Sequence, residues 1–235
     1  MTEELRSLLA AGEVVLDAAS EEKLEAYHAM LLEWNRNMDL TNVPEEEMAL
    51  RHYADSLLPL MQKVWFTQGA RLIDVGSGAG FPGMPLAIAR PDMDVTLLDA
   101  QRKRCDFLQS VADKLELKNV TVMHGRAEDA ARTNLRETMD AAVARAVAPL
   151  NVLCEYLLPF VRVGGYALCW KGPGLFDEMD AGRAAAAILG SAEDMLLRLP
   201  IENREHYVQA YLKQVPADAR YPRRAGKPLK APLGE

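Results

Sequence analysis

Arg71-Leu-Ile-Asp-Val-Gly-Ser-Gly-Ala-Gly80, which continues into Phe81-Pro-Gly83, is the segment from which the architecture of this chain can be inferred. An apolar run ends here in three alternate glycines, and about 20 residues later a second apolar run, Val95-Thr-Leu-Leu-Asp99, ends in an acid. Glycine lets the backbone turn sharply and lets a ligand approach without a Cβ in the way. A carboxylate at this spacing accepts hydrogen bonds from ribose hydroxyls. The segment therefore predicts a nucleotide-type cofactor site.

Two cofactors compete for this loop. The pattern Asp-x-Gly-x-Gly-x-Gly, typical of S-adenosylmethionine-dependent methyltransferases, is met by Asp74, Gly76, Gly78 and Gly80. In that interpretation Asp74 organises the loop and meets the methionine ammonium. The dinucleotide pattern G-x-G-x-x-G fits only a frame that starts at Gly78, two residues late, and that contains Pro82. We favour S-adenosylmethionine, and NAD stays the alternative. A P-loop is excluded because no G-K-[ST] occurs.

Composition limits the other possibilities. A chain of 235 residues with 49% hydrophobic residues is one large domain, or one domain with an appendage. The start of the sequence has no basic n-region, and no apolar run approaches the ~20 residues that span a bilayer. Three cysteines without C-x-x-C spacing predict reduced core thiols, and four scattered histidines predict no metal site. We expect a cytoplasmic protein without a membrane partner.

The charge is unevenly distributed. The net charge of −7 argues against a protein that coats nucleic acid wholesale. Residues 213–230 nevertheless carry six basic side chains and one acid, whereas the first fifty residues are acidic. A local basic patch on an acidic body suits docking at one site on a polyanion, and a solvated charge run is the alternative. The predicted RNA contacts are Arg220, Arg223, Arg224 and Lys227.

Hydrophobic periodicity predicts an N-terminal helical extension over residues 1–64, with Ser20 at a helix N-cap and a second helix over 44–63. Residues 65–215 form the main domain, and 216–235 form a basic C-terminal tail. Strands are expected at 71–75, 95–99, 119–124, 140–144 and 164–170, separated by helices at 82–90, 101–115 and 149–161. A helix over 174–190 and two strands without a crossover, 193–199 and 205–214, complete the pattern. This order predicts an α/β fold with a doubly wound, mostly parallel, Rossmann-like sheet and an antiparallel edge.

Several polar residues follow directly after predicted strands and should converge on one crevice, because ligands of such sheets bind outside the carboxyl ends of the strands. They are Gly76, Asp99, Arg126 with Glu128, and Arg145. The Ala127 N–H and the Glu128 side chain are candidates for the adenine edge. Glu128 and Asp129 could equally be N-caps of a short helix. Arg145 lies in an apolar run and needs an anionic or carbonyl partner. We favour a ligand role for Arg145 over a structural ion pair.

Residues 51–56 offer a further candidate. His52 and Asp55 fall on one face of the predicted second helix. Either they make an ordinary contact on the helix surface, or they belong to an N-terminal flap over the pocket.

These segments together resemble the bacterial 16S ribosomal RNA guanine-N7 methyltransferase family, also called glucose-inhibited division protein B. The resemblance covers nearly the whole chain and rests on Leu31-Leu-Glu-Trp-Asn35, Asn37-Met-Asp-Leu-Thr41, Arg51-His-Tyr-Ala-Asp-Ser-Leu57, Ile73-Asp-Val-Gly-Ser-Gly-Ala-Gly-Phe-Pro-Gly83, Leu97-Leu-Asp99, Lys103-Arg104, Phe107-Leu108, His124-Gly-Arg-Ala-Glu-Asp129, Ala144-Arg-Ala-Val-Ala148 and Tyr221-Pro-Arg-Arg-x-Gly226. The chain departs from the family at His28 and Met38, positions that affect packing.

The resemblance implies a class I methyltransferase fold and a set of functional residues. The cofactor site would be lined by Gly76, Phe81, Ala127, Glu128 and Arg145. Arg126 and Arg204 would reach the substrate guanine or its phosphate and serve catalysis. The implied partner is 16S ribosomal RNA or a precursor of the small ribosomal subunit, and we expect a monomer.

Guanine N7 carries a lone pair at neutral pH, so its methylation needs neither a general base nor a metal, and positioning of N7 is the main requirement. Three alternatives remain at this stage. The first is a methyltransferase for a small molecule or a protein, which the basic tail argues against. The others are an NAD-dependent oxidoreductase and a non-catalytic RNA-binding module.

Overall fold

The computed structural model describes residues 2–202 and 204–234. Seven strands form one sheet in the order β3-β2-β1-β4-β5-β7-β6. The strands are β1 (Arg71–Val75), β2 (Asp94–Asp99), β3 (Val120–His124), β4 (Met139–Arg145), β5 (Val161–Lys171), β6 (Ser191–Arg198) and β7 (Tyr207–Lys213). The first five are parallel, and β7 pairs antiparallel with both β5 and β6. The predicted doubly wound, mostly parallel sheet with an antiparallel edge is confirmed.

Helices fill both faces of this sheet and also precede it. They are α1 (Glu3–Ala11), α2 (Ala18–Asn35), α3 (Glu45–Met48), α4 (Asp55–Leu57), α5 (Gly83–Ala89), α6 (Arg102–Lys114), α7 (Ala127–Ala130), α8 (Leu150–Leu157), α9 (Leu175–Ile188) and α10 (Lys227–Lys230). The predicted second N-terminal helix is not continuous. A π-helical turn, Ala49–Ala54, separates α3 from α4, and a 3₁₀ turn, Leu58–Met61, follows α4. π-helical turns are rare in proteins, but those that occur are often found at functional sites.

The start of α2 differs from the predicted cap. Asp17, rather than Ser20, is the N-cap, and its Oδ1 accepts a hydrogen bond from the Ser20 backbone N–H at 2.7 Å. Ser20 lies inside the first turn, where its hydroxyl donates to the carbonyl oxygen of Ile88 at 3.1 Å. Both residue types are good caps, and the buried contact with α5 engages the serine. The prediction of Ser20 as the N-cap is therefore wrong by three residues.

The N-terminal helices share a core with the sheet. Tyr27 and Leu31 of α2 are fully buried in the same hydrophobic cluster as Leu97 of β2 and Phe107 of α6. A second cluster fills the opposite face between the sheet and α8 and α9, and it contains the buried thiol of Cys154. The three cysteines are free and buried, as predicted. The helices within residues 2–64 are thus anchored on the sheet by apolar packing.

The C-terminal segment lies along the sheet domain and is held there by arginines. The Arg136 guanidinium donates to the carbonyl oxygens of Tyr221, Ala217 and Asp218. The Arg132 guanidinium donates to the carbonyl oxygen of Pro222. Charged donors make strong hydrogen bonds to backbone carbonyls. The tail is therefore a bound segment with a defined path.

Across the described ranges, no helix combines the length and the apolar character that crossing a bilayer requires.

Candidate active site

The glycine loop follows β1 and takes a path that only glycine adopts easily. Gly76, Gly78 and Gly80 have φ values of 76°, 58° and 103°. A Cβ on Gly76 would lie 2.8 Å from Val147 Cγ2, and a Cβ on Gly80 would lie 2.8 Å from the Tyr27 hydroxyl. The Gly76 N–H donates to the Leu98 carbonyl oxygen at 2.7 Å, which ties the loop to the end of β2. Backbone sterics and close packing together explain the alternate glycines.

The Asp74 side chain holds the end of this loop through a hydrogen bond. Its side chain is fully buried, and its Oδ2 accepts a hydrogen bond from the Gly83 N–H at 2.9 Å. A Cβ on Gly83, the third glycine of the frame that starts at Gly78, would lie 2.6 Å from that oxygen. The absence of a side chain at Gly83 therefore makes room for the Asp74 carboxylate. Oδ1 is buried and has no hydrogen-bond partner among the described residues. Burial raises the pKa of Asp74 to about 7. Its predicted contact with a methionine ammonium stays a prediction.

Asp99 ends β2 and presents its carboxylate at the same edge. The side chain is 3% exposed. Oδ2 accepts from the Gly78 N–H and Oδ1 accepts from the Gln101 N–H, both at 2.8 Å. Each carboxylate oxygen has a further lone pair, so two acceptor positions remain for a diol. The Arg104 guanidinium lies 3.9 Å from Oδ2.

A cavity of about 690 Å³ opens above these groups. One side is formed by the glycine loop, Asp99 and the first turn of α6. The other side is formed by the connection that follows α2, the π-helical turn and the ends of β4 and β5. Its lining includes the predicted residues Gly76, Gly78, Phe81, Asp99 and Arg145, together with Thr41, Asn42, His52, Asp55, Trp170, Lys171 and His206.

Arg145 is held by an ion pair and also faces the cavity. Its Nη1 donates to Asp55 Oδ2 at 2.9 Å and to the Arg51 carbonyl oxygen at 2.8 Å. The guanidinium lies 5.1 Å from the centre of the Phe81 ring. The other Asp55 oxygen, Oδ1, lies 2.8 Å from Nδ1 of His206. The structural ion pair that we weighed for Arg145 is thus present, and it leaves the guanidinium at the cavity wall.

His52 is a neutral part of this cluster. His52 Nδ1 lies 3.0 Å from Arg145 Nη2, an obligate donor, and 3.2 Å from the Arg51 carbonyl oxygen, an obligate acceptor. The other ring nitrogen, Nε2, lies 2.8 Å from Thr41 Oγ1. The imidazole also stacks on Phe81, with ring centres 4.3 Å apart. Burial and the neighbouring Arg145 lower the pKa of His52 to about 3.

The structure does not bring the residues after β3 into this cavity. Arg126 is exposed at the start of α7, and neither it nor Ala127 and Glu128 is among the lining residues. The Glu128 carboxylate is buried and accepts a hydrogen bond from the Gly226 N–H at 2.8 Å. We expected all strand-end residues to share one crevice, but α7 turns Glu128 toward the C-terminal tail. Cofactor and substrate roles for these residues stay predictions.

Arg204 lies beside the rim of the cavity. Its Nη2 donates to Glu47 Oε2 at 3.0 Å, and Arg51, which lines the cavity, donates to the same oxygen at 3.0 Å. The hydrogen bonds from Arg51 and Arg204 lower the pKa of Glu47. Two cations thus share one carboxylate, which leaves an excess positive charge at the rim. The predicted substrate contact of Arg204 stays a prediction.

The basic tail divides into anchors and exposed cations. Arg223 makes a bidentate pair with Glu155, whose carboxylate is 0% exposed, and the closest approach is 2.5 Å between Nη2 and Oε2. Lys213 is also buried, and its amine donates a hydrogen bond to the Leu158 carbonyl oxygen at 2.8 Å. Arg220, Arg224 and Lys227 are exposed. Arg223 is therefore an anchor of the tail, and its predicted contact with RNA stays a prediction.

Sequence reasoning missed several cavity residues. His206 precedes β7 in a segment without a motif, and only the antiparallel return of β7 brings it to Asp55. Thr41 and Asn42 follow a loop clamped by the Asn35 amide, which bonds Leu40 N, Thr41 N and Thr41 O. Asn37-Met-Asp-Leu-Thr41 is one of the segments that carry the family resemblance. Its sequence does not show that it lies next to the π-helical turn, so its place at the cavity was not predicted.

Comparisons with known proteins agree with this geometry. The family described as rRNA small subunit methyltransferase G, GidB, matches residues 20–207. The curated protein "Ribosomal RNA small subunit methyltransferase G" of Alkaliphilus oremlandii is 42% identical over 98% of this chain and 99% of its own length. The protein of the same name from Lactobacillus helveticus is 42% identical over 93% of each chain.

Solved structures at low identity show the same fold. The M. jannaschii TYW2 structure in complex with AdoMet has a TM-score of 0.54 at 13% identity, and it covers 68% of this chain and 77% of that one. The Aeropyrum pernix fibrillarin structure with natively bound S-adenosyl-L-methionine has a TM-score of 0.51 at 16% identity, and it covers 68% of this chain and 73% of that one. With the family match over residues 20–207, these findings confirm the resemblance, and the chain belongs to the rRNA small subunit methyltransferase G family.

Proposed function

We propose that this protein transfers a methyl group from S-adenosylmethionine to N7 of a guanine in 16S ribosomal RNA. The observation that carries the proposal is the shared cavity, in which the glycine loop and Asp99 face a second, polar wall of Arg145 and His206. Family membership supports the small-subunit RNA as substrate. The proposal includes a cytoplasmic location, since the substrate belongs to the ribosome, and a monomeric state.

The residues present fit the cofactor. A buried carboxylate, Asp99, offers two free acceptor positions beside Gly78. A Cβ on Gly76 would clash with Val147, so a glycine at this position lets the loop backbone pack closely against its neighbours. Asp74 has a buried oxygen without a partner among the described residues, directly beneath the loop. Asp99 suits a ribose. Asp74 is fully buried and is not among the residues that line the cavity, so its contact with an ammonium stays a prediction. When bound, S-adenosylmethionine supplies an electrophilic methyl group on sulfur.

The protein's contribution to the chemistry is positioning. Guanine N7 has an available lone pair, so no residue has to remove a proton before methylation. Arg145, fixed by Asp55 and Arg51, presents a cation at the cavity wall without free motion. Guanidinium donors suit the O6 acceptor of guanine. Holding the base in line with the methyl group supplies most of the acceleration that such a reaction needs.

Mass spectrometry of 16S ribosomal RNA treated with enzyme and cofactor tests the product. We expect N7-methylguanosine. Single-turnover rates at saturating cofactor should stay nearly flat from about pH 6 to 9, because N7 needs no deprotonation. Saturation removes any pH effect on cofactor binding, to which we expect Asp74 to contribute. A methyl group on a pyrimidine carbon, a ribose hydroxyl or a protein would overturn the substrate assignment.

Ligand-dependent melting distinguishes S-adenosylmethionine from the alternative cofactor, NAD. S-adenosylmethionine should raise the melting temperature of the protein, since a ligand that binds only the folded state stabilises it. The dinucleotide frame is weaker because it starts at Gly78, two residues late, and contains Pro82. A rise with NAD and none with S-adenosylmethionine would reverse the assignment.

A further inference from the structure

An exposed aromatic ring stands beside the mouth of the cavity. Phe176 lies in the first turn of α9 and is 56% exposed, and among the exposed large apolar side chains of residues 2–202 and 204–234 it is the only aromatic one. The preceding loop begins with Lys171 and Gly172, which line the cavity. A single exposed apolar side chain is ordinary, so what bears on function is the position of this ring, four residues after the cavity residue Gly172.

The ring is held in place by a buried neighbour. Phe176 packs on Tyr207 with ring centres 5.4 Å apart and planes at 77°. Tyr207 is 6% exposed, pairs with Lys171 between β7 and β5, and directly follows the cavity residue His206. Phe176 does not itself line the cavity, but its contact with Tyr207 and the short loop after Gly172 place it next to residues that do, at the carboxyl end of β5.

We propose that Phe176 is a stacking platform for an unpaired nucleobase next to the target guanine. The inference rests on the proposed function. A base that enters the cavity has to leave its own stack, and this exposes the faces of its neighbours in the strand. Aromatic side chains that stack such bases are a general device of single-strand recognition, because every base has a π-face.

The local charge favours a base over a phosphate at this position. Asp177 and Glu178 lie in the same helical turn, and their carboxylates repel the RNA backbone. Glu178 is already engaged by Lys171 at 2.6 Å and by the Leu150 N–H at 2.7 Å, whereas Asp177 is exposed. The N-terminus of α9 is thus a poor phosphate site, and the ring is the surface that remains for contact.

Substitutions at this position test the platform. With in vitro transcribed 16S ribosomal RNA as the probe, Phe176→Ala should raise the KM for RNA about 5- to 100-fold, the range for loss of one stacked base. Affinity for S-adenosylmethionine and the melting temperature should change little. Phe176→Leu keeps the apolar contact with Tyr207 but removes the π-face, so it should resemble Phe176→Ala. Ile188→Ala is the matched control, since Ile188 is 44% exposed at the other end of α9.

Phe176→Trp gives a direct readout. It should keep the parent KM, and its indole emission, taken as the difference from the parent, should be quenched when RNA stacks on it. Native Trp34, Trp65 and Trp170 also emit, and Trp170 lines the cavity, so the parent titrated with the same RNA supplies the background. A parent-like KM in Phe176→Ala, or unquenched emission at saturating RNA, would overturn the platform while the parent still methylates RNA. A parent that neither binds nor methylates RNA would overturn the proposed function and the platform together.

Discussion

The Tyr27 hydroxyl donates a hydrogen bond to the carbonyl oxygen of Ala79 at a distance of 2.5 Å, and it thereby joins α2 to the glycine loop. Tyr27 is fully buried, and its ring packs on Phe81 with centres 5.4 Å apart. The N-terminal helices therefore form part of the wall that fixes the loop. Opening this wall would expose the ring and unpair a buried carbonyl. His52 and Asp55 line the cavity, and the flap that we considered for them stays a prediction.

Tyr27→Phe should weaken the binding of S-adenosylmethionine. The change removes only a hydroxyl and leaves the Ala79 carbonyl buried without its donor, at a cost of about 1–3 kcal/mol. Calorimetric titration measures the affinity. Tyr53→Phe is the control, because the Tyr53 hydroxyl contacts His28 Nδ1 at 3.2 Å instead of the loop. Equal affinity in Tyr27→Phe and the parent would show that the loop does not depend on this support.

Asp99→Ala should weaken S-adenosylmethionine binding by about 1.5–3 kcal/mol, the range for hydrogen bonds to a charged group. The carboxylate also accepts from the Gly78 and Gln101 N–H groups, so part of the loss arises from a less ordered loop. Asp99→Asn keeps one carbonyl acceptor and should lose less. Isothermal titration ranks the three proteins, and unchanged affinity in both variants would contradict the ribose assignment.

Protonation of His52 should destabilise the protein in acid. Its pKa falls from an ordinary 6.5 to about 3 in the fold, so its contribution is present above pH 6.5 and is lost as the pH falls toward 3. The loss amounts to at most about 5 kcal/mol. Asp74 acts in the opposite sense, because its raised pKa makes its contribution present in acid and lost as the pH rises through 7.

Urea denaturation of the parent and His52→Gln between pH 3 and 7 isolates the His52 contribution, since Asp74 is common to both. The stability of the parent minus that of the variant should increase with pH. A difference that stays constant across this range would show that His52 does not titrate as its burial beside Arg145 requires.

Arg223→Ala should destabilise the fold by about 3–5 kcal/mol, because it removes the cation that pairs with the buried Glu155 carboxylate and leaves only the backbone N–H of residue 223 as a donor. Arg224→Ala, at the exposed neighbouring position, should change stability by no more than about 0.5 kcal/mol. Chemical denaturation compares the two. If both variants matched the parent, the tail would not be anchored through this pair.

The exposed cations of the tail should set the salt dependence of RNA binding. Changing Arg220, Arg224 and Lys227 to Ala should reduce the slope of log affinity against log salt by about one unit for each cation that neutralises a phosphate. Affinity for S-adenosylmethionine should be unaffected. Lys118→Ala is the control, since Lys118 is exposed before the amino end of β3, whereas Gly226 of the tail bonds Glu128 beyond the carboxyl end of that strand. An identical slope in the triple variant and the parent would show that these residues are solvated charges that make no phosphate contact.

Local sequence patterns were sufficient to predict the sheet and the glycine loop. Strand and helix periodicities are local, and each predicted strand from β1 to β7 lies within a few residues of its observed position. The alternate glycines with Asp99 are also a local signal, because the positive φ values and the carboxylate at the strand end follow from residues close in the chain. Fold class, cofactor pattern and family were therefore accessible without coordinates.

The set of residues that share the site depends instead on tertiary packing. Asp55 meets both Arg145 and His206, which lie 90 and 151 residues away in the chain. No local pattern encodes such contacts, since they depend on how the π-helical turn and β7 pack against the sheet. Packing likewise made Arg223 an anchor and left Arg224 exposed, although both are arginines in one basic run. Composition gives the charge of a segment, but burial and partners determine what that charge does.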